Sequence, residues 1–152
     1  MRVIVISDSH GDPYAVRSAI EQQPTAETVF FLGDGEHDVD FLCSAEGINL
    51  YRVKGNCDFG SELPAFLNVT VGGKRFYCTH GYAERVKYTK EILLNRASSF
   101  GAHIALYGHT HVSDTVYSEG IWLVNPGSLR SGEYAVIDLT PSGIMPISMK
   151  LR

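Results

Sequence analysis

No stretch of this chain is long and apolar enough to cross a membrane. The apolar run at the start, Val3-Ile4-Val5-Ile6, turns polar at Ser7, which is too short for a signal peptide or a span, so no membrane association is expected. A basic stripe is also missing. Thirteen Lys and Arg stand against seventeen Asp and Glu, for a formal charge of −4, and this argues against a dedicated nucleic-acid-binding module. Cysteine is scarce. Cys43, Cys57 and Cys78 are odd in number and lack Cys-x-x-Cys spacing, so neither a disulfide framework nor a thiolate zinc site is implied. Free thiols fit a reducing, cytoplasmic setting. There is no internal repeat, low-complexity tract or linker, and 152 residues fit one domain, 1–152, large enough to bury a core without staples. Hydrophobic residues at 44% and charged residues at 20% exclude disorder.

What is present is a regular alternation. Val3–Ile6 is apolar on both faces, as in a central strand covered on two sides. Asp12-Pro13 reads as an N-cap followed by proline at the first helical position, with Ala15, Val16, Ala19 and Ile20 at helical spacing and Pro24 closing the helix. A strand over 28–32, a short helix over 38–45 and a strand over 48–53 follow, so the first third predicts β-α-β-α-β with parallel strands. Strands over 66–71 and 75–79 flank Gly72-Gly73, a hairpin signal. A helix is predicted over 87–100, stopped by Gly101, and a buried strand over 104–107. Two more hairpins turn at Ser118-Glu119-Gly120 and Pro141-Ser142-Gly143. Two packed sheets with helices outside would bury all these strands.

Six histidines is a moderately high count for this length. Side chains with metal-ligand chemistry gather just after the strands: Asp8-Ser9-His10, Gly33-Asp34, Gly55-Asn56-Cys57-Asp58, Thr79-His80-Gly81 and Gly108-His109-Thr110-His111. Ligand sites of open α/β sheets lie at the carboxyl ends of strands, so these five loops should converge. Carboxylate, imidazole and carboxamide from Asp8, His10, Asp34, Asn56, His80, His109 and His111 suit borderline divalent ions better than an all-oxygen cage does. Seven ligands are too many for one tetrahedral ion, and suffice for two if one carboxylate bridges. Any one motif alone has an ordinary explanation: an Asp-x-His is more often a capped turn, and Gly-Asp a strand-end turn. The set of five is what carries weight.

In these motifs, and in the Asn125-Pro126-Gly127-Ser128 that follows them, the sequence resembles the calcineurin-like metallophosphoesterase superfamily, in its small prokaryotic phosphodiesterase branch. The resemblance implies an α/β fold, a four-layer αββα sandwich of two mixed β-sheets flanked by helices, with a dinuclear metal site at the strand-end edge. It implies one ion on Asp8, His10, Asp34 and His111 and a second on Asp34, Asn56, His80 and His109, with Asp34 as the bridge. It further implies a metal-dependent phosphoesterase, most readily a phosphodiesterase, that attacks small-molecule phosphoesters with a bridging hydroxide held between ions roughly 3.5–4 Å apart. Manganese is the first choice of metal, with zinc, iron and nickel as alternatives. Asp34, Asn56, His80, Cys57 and Asp58 are the expected catalytic residues, and Asn56, Cys57, Ser128 and Arg130 the expected substrate contacts.

Cys57 stands where many members carry a histidine that assists the leaving group. A thiol is a poorer proton donor in a metal-rich site that favours thiolate, so acidic leaving groups should be preferred and diesters should serve at least as well as monoesters. Asp58 reads as an orienting residue or as a turn cap. Arg130 suits a phosphate by its planar fork, although an exposed, solvated arginine is the commoner case. His37 and His103 read as bystanders, and Tyr82, Tyr107 and Trp122 as core or rim aromatics. Two competing readings remain. One is a protein-interaction scaffold, as in the retromer-subunit branch of the same superfamily, which lacks the full histidine set present here. The other is a nuclease, for which the chain has too few cations and no room for an added DNA-contacting domain. The hairpins offer edge strands, so a homo-oligomer is a candidate assembly.

Overall fold

A computed structural model describes residues 1–152. Ten strands form two five-stranded mixed sheets. In the first, β1 (Arg2–Ile6), β2 (Thr28–Phe31) and β3 (Asn49–Arg52) run parallel, and β9 (Glu133–Thr140) and β10 (Gly143–Lys150) extend it antiparallel beyond β1. In the second, β5 (Lys74–Thr79), β6 (Ile104–Leu106) and β8 (Ile121–Asn125) run parallel, flanked by the antiparallel edges β4 (Phe66–Val71) and β7 (Asp114–Ser118).

The alternation of side chains along each strand builds the layers. Val3 and Val5 of β1 face the second sheet and pack with Phe30, Leu32, Phe76, Cys78, Ile104 and Leu106. Ile4 and Ile6 face the other way, onto Val16 and Ala19 of α1 (Pro13–Glu21) and onto Val39 and Leu42. On the outer face of the second sheet, Leu93 and Ala97 of α2 (Glu91–Ser99) cover Tyr77, Ala105 and Tyr107. The result is the expected α/β sandwich of two sheets flanked by helices.

α1 begins as the sequence predicts. The Asp12 carboxylate accepts the Ala15 N–H at 3.0 Å, with Pro13 at the first helical position. Asp12→Ala should lower stability by about 1 kcal/mol, seen as a lower urea midpoint at unchanged slope.

Two helices differ from expectation. The segment predicted as a helix over 38–45 is a 3₁₀-helix over Glu36–Ser44. Its buried Asp38 reaches back to accept Ser9 Oγ at 2.6 Å and the Gly11 N–H at 2.8 Å, which ties its first turn to the loop after β1. The helix predicted from residue 87 starts only at Glu91. Residues 82–88 are turns, because Arg85 takes a left-handed φ of 56° and the Val86 N–H closes onto the Gly81 carbonyl at 3.2 Å. No helix is long and apolar enough to cross a membrane.

Candidate metal centre

The parallel strands of both sheets point their carboxyl ends at one edge. From the first sheet, β1 delivers Asp8 and His10, and β2 delivers Asp34. From the second, β5 delivers His80, and β6 delivers His109 and His111. The loops that carry them are tightly turned. Of the seven non-glycine residues with positive φ, five are Asp8, His10, Asp34, His109 and His111. Left-handed backbone is unfavourable for residues with a Cβ and persists where surrounding structure imposes it, most often at functional sites.

Glycines make room for these turns. A Cβ on Gly55 would strike the Asp34 carboxylate, and one on Gly108 would strike Ser7 Oγ. That close approach explains the Gly-Asn and Gly-His pairs better than backbone freedom alone.

Six side chains form two groups. Asp8, His10 and His111 converge in one, and Asp34, His80 and His109 in the other, with ligand atoms within 4.8 Å of one another in each group. Asp8 Oδ1 lies 3.2 Å from His111 Nε2 and 3.6 Å from His10 Nε2. His80 Nε2 lies 3.2 Å from both Asp34 Oδ2 and His109 Nδ1. Asp34 Oδ2 is also 3.9 Å from His10 Nε2, so it stands between the groups.

The residues present fit divalent cations. Asp8 is fully buried; its Oδ2 accepts Ser7 Oγ–H at 2.7 Å and the His109 N–H at 3.1 Å, while its Oδ1 has no hydrogen-bond partner. An unpaired buried carboxylate oxygen facing imidazole nitrogens is costly unless a cation meets it. His80 Nδ1 donates to the Leu32 carbonyl at 2.7 Å, which in the neutral ring leaves the Nε2 lone pair free to ligate a cation beside Asp34.

The charges are mutually adjusted. Burial alone would push the Asp34 carboxyl up, but the His80 hydrogen bond and charge, the Cys57 N–H and His10 outweigh it and hold Asp34 at about 2. Burial pulls His80 down, and Asp34 and Asp8 raise it overall. His109 is lowered by burial and by neighbouring His80 and Lys87, which favours the neutral imidazole that a ligand requires.

The other predicted site residues take different places. Asn56 is exposed, with its amide nitrogen 3.7 Å from Cys57 Sγ, and it lines a cleft together with His80. Cys57 donates its N–H to Asp34 Oδ1 at 2.8 Å. Burial, then the Asp34, Asp58 and Asp8 carboxylates, push its thiol up, so these neighbours favour the thiol rather than a thiolate. Asp58 accepts four backbone N–H groups: those of Asp34 and Gly55 at 2.8 Å, Gly35 at 2.9 Å and Glu36 at 3.1 Å. It locks the Asp34 loop to the Asn56 loop and makes no hydrogen bond to a histidine, so it orients Asp34 through the backbone. Ser128 is buried, and its hydroxyl is committed to the Asp8 carbonyl at 2.9 Å. The Arg130 side chain is exposed.

His37 is exposed and pairs with Asp40 at 2.9 Å, on the wall of the cleft that also holds His10 and Asp34, and His103 accepts the Arg75 N–H at Nδ1. Sequence reasoning did not assign Ser7, Asp38 or Asn125 a role. Asn125 Nδ2 donates to the Gly108 carbonyl at 3.2 Å and to Thr110 Oγ1 at 2.9 Å, which fixes the turn that carries His109 and His111. Its place beside Pro126-Gly127 was the only signal available.

Comparison with known proteins agrees with this geometry. A model of the calcineurin-like phosphoesterase superfamily domain matches residues 1–140. The probable metallophosphoesterase YsnB of Bacillus subtilis is 31% identical over 146 residues, covering 91% of this chain and 85% of that protein. The crystal structure of a predicted phosphoesterase of Streptococcus pneumoniae superposes with a TM-score of 0.78 at 28% identity, covering 97% of each chain. Vps29 of Chaetomium thermophilum superposes with a TM-score of 0.76, covering 100% of this chain and 98% of that one, but at 18% identity this likeness is one of fold alone.

Proposed function

This chain belongs to the calcineurin-like phosphoesterase superfamily, and we propose that it is a metal-dependent hydrolase of small-molecule phosphodiesters, built as a single domain over residues 1–152. The observation that carries the reading is the pair of acid–imidazole groups with Asp34 between them and the unpaired Asp8 Oδ1 at their centre. One ion would be held by Asp8, His10, His111 and Asp34, and a second by Asp34, His80, His109 and the nearby Asn56. Divalent ions bound there supply Lewis acidity, which acidifies water and draws charge from phosphoryl oxygens.

The chain's own residues do the rest. The His80 tautomer, fixed by the Leu32 carbonyl, keeps a lone pair aimed at the centre. Asp58 and Ser128 hold the Asp34 and Asp8 loops in place through the backbone. Because residue 57 is a cysteine rather than a histidine, no imidazolium stands there to protonate a leaving group. Acidic leaving groups are therefore favoured, and diesters serve at least as well as monoesters. Three unpaired thiols fit the cytosol.

The test compares bis-p-nitrophenyl phosphate with p-nitrophenyl phosphate on the manganese-loaded protein. We expect hydrolysis of the diester at least as fast as that of the monoester, abolished by chelator and restored by manganese. If both esters survive under every metal tried, the hydrolase reading fails and the scaffold reading takes its place.

A further inference from the structure

The centre opens into two unequal clefts. The wider, of about 440 Å³, runs from His10 and Asp34 past Cys57 to Phe59. The narrower, of about 140 Å³, lies beside Lys54, Asn56, His80 and Tyr82. They meet where Asp34 of the first approaches His80 of the second at 3.2 Å. A phosphodiester seated at that junction carries two ester arms, and these two clefts flank it.

The clefts differ in charge as well as size. Beyond Asp34, the wider one is lined by the carboxylates of Glu36, Asp38 and Asp58 and by the imidazoles of His10 and His37, with no Lys or Arg. The narrower one has Lys54 and no carboxylate. An arm bearing a further phosphate would meet like charge in the wide cleft, and an uncharged arm would not. At the rim of the wide cleft the Phe59 side chain is 92% exposed. It follows Asp58, whose carboxylate is anchored by four N–H bonds, so the ring is presented from a fixed backbone. A phenylalanine this exposed adds nothing to the core, and its flat apolar face suits a stacked ring.

Resting on the hydrolase reading above, we propose that Phe59 determines specificity. The wide cleft takes the larger arm of a phosphodiester when that arm is an uncharged planar ring system of the nucleoside type, stacked on Phe59, and it rejects an arm carrying a second phosphate.

Three chromogenic esters test this on the manganese-loaded protein: the p-nitrophenyl ester of thymidine 5′-phosphate, the same ester with a 3′-phosphate, and methyl p-nitrophenyl phosphate. Loss of a stacked base typically costs on the order of tenfold or more. The thymidine ester should therefore exceed the methyl ester in kcat/KM by about tenfold, mostly through KM. Phe59→Ala should bring that ratio close to one and Phe59→Trp should restore it, while Glu36→Gln should narrow the discrimination against the 3′-phosphate. A ratio that is the same in the parent and in Phe59→Ala, or a 3′-phosphorylated ester turned over as well as the unphosphorylated one, overturns the proposal.

Calorimetry with thymidine 5′-phosphate and methyl phosphate separates this proposal from the reading it rests on. If the nucleotide binds more tightly, that advantage disappears in Phe59→Ala, and no ester is cleaved, then the hydrolase reading fails and the Phe59 subsite stands. Equal binding of the two ligands by the parent removes the subsite even if turnover is observed.

Discussion

Asp34→Asn is expected to lower turnover of bis-p-nitrophenyl phosphate about 10³-fold, or about 4 kcal/mol of barrier, in a protein that stays folded. Asparagine is the informative replacement. Its carbonyl oxygen can keep the Cys57 N–H bond that Asp34 Oδ1 now accepts at 2.8 Å, and its NH₂ can donate to the His80 Nε2 that now sits 3.2 Å from Oδ2. It has nearly the size of aspartate, which matters because Gly55 leaves no spare room beside that side chain. The loss is therefore mainly of one negative charge, at the point where both acid–imidazole groups share a carboxylate. Metal analysis of the purified, manganese-loaded proteins should show one ion or fewer per chain in the variant against an expected two in the parent, and the urea midpoint should shift by less than about 1 kcal/mol equivalent. Full stoichiometry and parental turnover would remove Asp34 from the centre.

The second large effect falls on stability. Asp58→Ala strips the acceptor from four backbone N–H groups at once, those of Asp34, Gly35, Glu36 and Gly55. A buried donor left unpaired costs about 1–3 kcal/mol, and water reaches some of these partly buried groups. We expect a loss of about 3–4 kcal/mol, a large share of the 5–15 kcal/mol typical of a folded domain, read from the urea midpoint. Asp58→Asn should recover roughly half of it, because one oxygen still serves two of the four N–H groups while the new NH₂ faces the other two. A turn cap alone would involve only the Gly55 end and cost about 1 kcal/mol, so a midpoint shift that small would restore the simpler role.

These two residues also mark how far the sequence is legible. Asp34 could be read as a ligand because it belongs to a strand-end set whose residue types point to metal. Asp58 could not be resolved, since three of its four partners lie 22 to 24 residues away across a loop and no local pattern encodes those bonds. The double-faced apolar strand Val3–Ile6 declared two covered faces, and both are covered. The stretch before Glu91 looked helical because periodicity cannot register a left-handed Arg85. Rim features such as Phe59 and the charge contrast of the two clefts leave no periodic or motif signal, and they appear only once distant loops are brought side by side.

The distribution of the six converging side chains has a mechanical consequence. Asp8 and His10 come from the first sheet and their partner His111 from the second, whereas Asp34 comes from the first and His80 and His109 from the second. An ion in either group therefore rivets one sheet to the other at the edge of the sandwich, in addition to any chemistry it supports. Binding that favours the native state over the unfolded chain adds RT ln(1 + [L]/Kd) to stability, and here that gain resists the parting of the two sheets. On the proposed reading, metal supply would set both activity and resistance to unfolding, so that stripping the ions should lower turnover and the urea midpoint together.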